Sequence, residues 1–208
     1  MNAAAGMALV LAALAGLMFG TRWLVPRVGG SAEASRKAVH IGMGLICLSF
    51  PWLFRSATPV LLFGALAPLA LGAIRVVPAL RARLGGVLGG VGRDSWGDLL
   101  FAPAVAFVFW LSAGDPLRFG VPVLVLTLAD AAGALVGRRY GTVRYDTDDG
   151  QKSVEGSSAF FAIAFCAVAV PLALAAVQPP LEILLTALLA GVLLMLVEAV
   201  AWHGLDNL

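Results

Sequence analysis

The chain has 208 residues, of which 61% are hydrophobic and 12% charged, with a formal net charge of +2. Soluble globular chains carry roughly twice that share of charge. So few polar side chains cannot cover a water-facing surface, which excludes a soluble enzyme and makes lipid the main solvent. The small positive charge is first a topology signal and implies no nucleic-acid partner. Cys47 and Cys166 lie in apolar runs, without C-x-x-C spacing or clustered His, and read as small hydrophobes rather than metal ligands.

Apolar stretches at about 3–21, 38–54, 57–77, 97–113, 118–137, 157–177 and 181–202 approach the ~20 residues that cross a ~30 Å hydrocarbon core. The first lacks the basic n-region of a cleaved signal peptide and is long enough to span, so it is expected to stay as a helix. The expected fold is all-α: a polytopic integral membrane helical bundle of about seven transmembrane helices, one domain over 1–208, without an internal repeat. Arg22, Arg27, Arg36 and Lys37 fall in the first connection, Arg75, Arg81, Arg83 and Arg93 in the third, and Arg138, Arg139, Arg144 and Lys152 in the fifth. Only Arg55 and Arg118 fall in the even connections, an alternation that predicts an outside N-terminus and a cytosolic C-terminus. Trp23, Trp96 and Trp202 then lie at cytosolic helix ends, and Trp52 and Trp110 at outer ends, as the interfacial preference of indole requires.

A carboxylate in hydrocarbon costs several kcal/mol unless it is paired or wetted. Asp130, about 10 Å inside the cytosolic end of its helix by rise per residue, therefore needs a reason. Asp98, Glu198 and His40 are expected at the same depth on three other helices, and together the four suggest a polar site open to the cytosol. Asp130, Gly133 and Gly137 share a helix face, with Gly141 beyond; that face is either a close-approach surface for a ligand or a GxxxG packing seam. In RRYGTVRYDTDDGQKSVEGSS the sixth helix should begin near Ser153, so that its N–H groups and Lys152 would hold an anionic phosphate. Glu155 is either part of that site or a capping acid, and Asp146, Asp148 and Asp149 read as a solvated turn. The Gly-rich third connection, with Gly85, Gly86, Gly89, Gly90 and Gly92, reads as a phosphate-cradling loop or, more simply, as a flexible linker along the inner leaflet. Phosphate-binding cations, acids able to hold Mg²⁺ and an opening at membrane level point to transfer of a phosphate-containing group to or from a lipid.

The stretch LADAAGALVGRRYGTVRYDTDDGQKSVEGSS resembles the D-x-x-A-x-x-x-G-x-x-x-G…K-[ST]-x-E-G signature of the CTP-dependent polyprenol kinase family, which includes dolichol, phytol and farnesol kinases and CTP-dependent diacylglycerol kinases. RKAVHIGMG, RDSWGDLLFAPAV and EAVAWHGLDNL follow the family in order and spacing, so the resemblance covers about residues 33–208. The central signature is shared with phosphatidate cytidylyltransferases. Those enzymes are usually longer and end in an H-G-G-x-x-D-R type motif, where this chain reads WHGLDNL. Gly133 stands where the family usually has Ala, and the chain stops at Leu208 where the family continues into another membrane segment.

The resemblance implies a membrane kinase in a prokaryotic cytoplasmic membrane, moving the γ-phosphate of CTP onto a lipid alcohol such as phytol, farnesol or dolichol at the cytosolic face. On that reading Asp130 holds Mg²⁺, with Glu198, Asp206 and Asn207 as further metal ligands, and Asp98 orients or deprotonates the alcohol. Lys152 joins Asp98 and Asp130 in the catalytic set. Arg36, Lys37, His40, Gly137, Arg138, Gly141, Ser153, Glu155 and Gly156 contact nucleotide or phosphate, with His40 equally suited to a structural hydrogen bond. The alternatives are transfer of CMP from CTP to a lipid phosphate, and a small transporter. A transporter would place its acids at the midplane within an inverted repeat, which the sequence lacks.

Overall fold

The computed structural model describes residues 2–29, 32–84, 97–147 and 150–200. Its helices are α1 (Ala3–Arg27), α2 (Ala32–Leu48), α3 (Phe50–Leu53), α4 (Thr58–Val76), α5 (Pro78–Leu84), α6 (Gly97–Leu111), α7 (Pro116–Leu124), α8 (Asp130–Tyr140), α9 (Val154–Ala175) and α10 (Pro180–Val200). A π-helical turn, Val125–Ala129, joins α7 to α8 without interruption. Among the described residues, five helices are long and apolar enough to cross a membrane: α1, α4, the continuous Pro116–Tyr140, α9 and α10. The other two expected crossings are helical but short, α2 with 17 residues and α6 with 15.

Local chemistry explains most boundaries. The expected second stretch ran to residue 54, but α2 ends at Leu48 because Pro51 has no N–H to return to the carbonyl of Cys47. Ser49 Oγ donates instead to Ile46 O at 2.6 Å. Asp115 caps α7 by accepting from Arg118 N at 2.8 Å, and Pro116 sits at the first helical position, where no N–H is missed. The fifth connection differs from the all-α expectation. It folds into an antiparallel hairpin of β1 (Arg144–Thr147) and β2 (Gly150–Ser153), registering Arg144 with Ser153 and Tyr145 with Lys152. Asp146 therefore lies in a strand, where its carboxylate accepts from Gln151 Nε2 at 3.1 Å. Asp148 and Asp149, most of the third connection, Trp96, Trp202, Asp206 and Asn207 lie outside the described residues.

The surface is inverted relative to a soluble protein. Leu69, Leu174, Phe19, Trp23, Trp52 and Trp110 are all exposed, as lipid-facing side chains should be. The interior has two parts. At one end Phe50, Phe109 and Phe119 cluster, the rings of Phe109 and Phe119 meeting edge to face at 5.2 Å. At the other, Ala129, Ala164 and Ala187 are fully buried between the π turn, α9 and α10, so small side chains bring these backbones together. α8 and α9 meet backbone to backbone. A Cβ on Gly156 would lie 2.9 Å from the carbonyl oxygen of Gly133 and 3.1 Å from Cα of Gly137, both backbone atoms that cannot swing away.

Gly156→Ala should therefore cost about 1–3 kcal/mol by overpacking. Thermal unfolding in detergent should show a midpoint about 2–10 °C lower. Gly20→Ala, with nothing within 4 Å of the new methyl, should leave the midpoint unchanged or raise it. Equal behaviour of the two variants would contradict the α8–α9 contact.

Candidate active site

The polar interior is built where α2 crosses the π turn and the start of α8. Lys37, His40 and Gly44 occupy one face of α2 at helical spacing, and each meets a different part of the opposite helix. Lys37 Nζ donates to Asp130 Oδ2 at 2.6 Å, with the two side chains 7% and 11% exposed. His40 Nε2 lies 3.0 Å from Leu126 O and 3.5 Å from Asp130 Oδ2. A carbonyl only accepts, so Nε2 is the nitrogen that carries hydrogen. Gly44 faces Thr127, whose side chain would overlap any Cβ at that position. Thr127 is fully buried and donates its hydroxyl to Val123 O at 2.6 Å.

The π turn makes this arrangement possible. Its hydrogen bonds span five residues instead of four, which rotates everything that follows and offers Leu126 O to the imidazole. The face of Asp130 toward Lys37 is thus set by the extra residue in the turn. The ring of His40 also packs edge-on against Phe101 of α6, with centroids 5.5 Å apart. Asp98 lies three residues before Phe101 in the first turn of the same helix, which brings its backbone to the margin of the site; its side chain is outside the described residues.

A second ion pair holds the hairpin. Lys152 Nζ donates to Glu198 Oε1 at 2.8 Å and also to the main-chain carbonyl of Glu198, tying β2 to the end of α10. α9 starts beside Ser153 as expected, and Ser153 Oγ caps it by accepting from Gly156 N at 3.1 Å. Glu155 stands in the first turn of α9, as a capping acid would, and its Oε1 is already engaged. That oxygen accepts from Thr142 N at 3.0 Å, from Val143 N at 3.2 Å and from the Thr142 hydroxyl, closing the segment after α8 onto the start of α9. Tyr145 and Ser157 share a hydroxyl hydrogen bond of 2.6 Å across the same junction.

The glycine face of α8 is a packing seam: Ser153 and Gly156 fill the space beside Gly137, and Gly141 N donates to Gly137 O at 3.0 Å. Gly137, Gly141, Ser153 and Gly156 thus shape the junction, and the N–H of Gly156 is already satisfied. Asp130 and Glu198, expected together as metal ligands, each have a lysine of their own, and the described residues contain no cluster of three His, Cys, Asp or Glu. Lys37 and Lys152 were expected to grip phosphates, and here each neutralises an acid. Arg36 and Arg138 are exposed near the start of α2 and the end of α8. The π turn, the Leu126 carbonyl and the Thr142 clamp gave no motif to read, although the spacing of Lys37, His40 and Gly44 already marked one face of α2.

Breaking a buried pair leaves a charge uncompensated and typically costs about 3–5 kcal/mol, far more than replacing both partners. Lys37→Met should therefore strongly lower the unfolding midpoint in detergent, and the double variant Lys37→Met with Asp130→Asn should recover most of the loss. Additive effects would show that the two side chains are not coupled.

Comparison with known proteins agrees with this chemistry in part. The chain is 34% identical over 128 residues to a phytol kinase of Synechocystis sp., a match covering 61% of this chain and 53% of that protein. It thus spans about half the length of the curated relative it matches. No protein-family model matches it. No solved structure matches it either.

Proposed function

We propose that this protein transfers the γ-phosphate of CTP to the hydroxyl of a prenyl alcohol of the phytol type, on the cytosolic side of the membrane. One observation carries the reading: the buried Lys37–Asp130 pair beside His40, a charged constellation inside a bundle whose outer surface is fit for lipid. The identity to a phytol kinase supports the acceptor class, and the sequence signature supports CTP as donor.

Phosphoryl transfer asks the protein mainly to position two oxygens and neutralise charge. The alcohol oxygen forms the new bond to phosphorus, the bond from phosphorus to the β-bridging oxygen breaks, and CDP leaves. The hydroxyl proton passes to a carboxylate, for which Asp98 at the margin of the site is the proposed acceptor. Lys37 would exchange Asp130 for a nucleotide phosphate on binding, and Lys152, Arg138 and Arg36 would add positive charge around the opening. His40 stays with Leu126 O and fixes the height of the imidazole beside Asp130.

Mg²⁺ is the cation this chemistry implies. It usually takes one or two protein carboxylates and completes its shell with water and substrate phosphates. Asp130, once released by Lys37, fits that modest demand without a protein-built cluster. The ion would supply charge neutralisation at the phosphates.

Purified protein in detergent with Mg²⁺, γ-labelled CTP and phytol should yield labelled lipid. Asp130→Asn should lower kcat by roughly 100-fold or more, with helical circular dichroism retained. Unchanged turnover would reduce Asp130 to a packing role, and label transferred only from the α-position of CTP to phosphatidate would replace phosphoryl by cytidylyl transfer.

A further inference from the structure

The π-helix is rare, so the turn Val125–Ala129 needs local support to stay open. Two residues supply it. Pro122 has no N–H, which removes a bond of the helical ladder just before the turn. Thr127 is fully buried, and its hydroxyl donates to Val123 O at 2.6 Å, the carbonyl that its own N–H would take at α-helical spacing. A hydroxyl in that place competes with the α spacing and favours the wider turn. Its rotamer is pinned from across the crossing, because a Cβ on residue 44 would overlap both Oγ1 and Cγ2 of Thr127, so the side chain fits only against Gly44. Widening the spacing from four residues to five leaves one carbonyl of the ladder without a main-chain donor. His40 Nε2 lies 3.0 Å from Leu126 O, the neighbour of Thr127 in sequence, and 3.5 Å from Asp130 Oδ2.

We infer that Thr127 is a positioning residue of the polar site: its hydroxyl holds the π turn open, and through that turn sets Leu126 O and the Asp130 carboxylate against His40 and Lys37. The consequence for turnover rests on the lipid-alcohol kinase reading above, whereas the consequence for the imidazole does not. Without the hydroxyl, Val123 O would lose a donor in the interior, a cost that the Thr127 N–H relieves by returning to α spacing. That return withdraws Leu126 O from His40 and turns Asp130, three residues on, away from Lys37. A side chain that only fills space would behave otherwise. Valine keeps the bulk of threonine and lacks the hydroxyl, while serine keeps the hydroxyl and leaves a methyl-sized gap.

Thr127→Val and Thr127→Ser therefore separate positioning from packing. In detergent, kcat for phytol phosphorylation should fall roughly tenfold or more in Thr127→Val and stay within about threefold of wild type in Thr127→Ser. The imidazole reports the same event without turnover. The chain has two histidines, so ¹⁵N-histidine labelling, with His40→Gln for assignment, identifies the Nε2–H of His40. Its exchange-protected resonance should persist in wild type and Thr127→Ser and be shifted or lost in Thr127→Val. Thr127→Ala set against Thr127→Ser, a pair that differs by the hydroxyl alone, makes the same comparison if the valine variant does not fold. An unchanged resonance in the variants without a hydroxyl, or a larger loss of turnover in serine than in valine, would overturn the assignment. Wild-type protein that phosphorylates no lipid alcohol, with the resonance responding as expected, would instead overturn the kinase reading and leave the positioning role standing.

Discussion

The structure depends on one constraint, the need to partner a carboxylate placed among lipid-facing helices. Asp130 meets it with a single partner, Lys37, at 2.6 Å, reached across 93 residues of sequence. Such a pair in a poorly polarisable interior contributes little net stability, because the desolvation of both ions offsets their attraction. It is better understood as a charge held ready. On the proposed reading, a phosphate would draw Lys37 away and leave Asp130 free to hold a cation.

The surrounding elements serve that pair. The π turn rotates α8 so that Asp130 meets α2, and Gly44 leaves room for Thr127 at the crossing. The glycines of α8 and the start of α9 let two backbones meet, which brings the hairpin over the same end of the bundle. Lys152 then anchors the hairpin to α10 through Glu198, and Glu155 anchors the segment after α8. Two lysine–acid pairs thus hold the parts that a nucleotide would have to contact.

Much of this was legible in the sequence, for physical reasons. Hydropathy marked the long helices because lipid demands long apolar runs. Asp130 and His40 stood out because ionisable groups are costly there, and the start of α9 near Ser153 was readable because the hydrophilic connection ends there. The pairings were not legible. Lys37 with Asp130 and Lys152 with Glu198 join residues 93 and 46 apart, and a list of basic residues does not say which acid each will meet. The glycine face admitted two readings, and only the position of Gly156 resolved it in favour of packing. The π turn left no trace in VLTLA because the extra residue is a matter of hydrogen-bond spacing rather than composition, and the hairpin was hidden by its turn-rich residues.

The central claim is that the alcohol oxygen attacks phosphorus at this site, and isotope retention tests it most directly. Phytol carrying ¹⁸O at its hydroxyl, incubated with the protein, Mg²⁺ and CTP, should give a phytyl monophosphate that keeps the heavy oxygen in the carbon–oxygen–phosphorus bridge, with CDP formed in equal amount. Absence of the phosphate ester, loss of the label from it, or release of pyrophosphate in place of CDP would contradict the account.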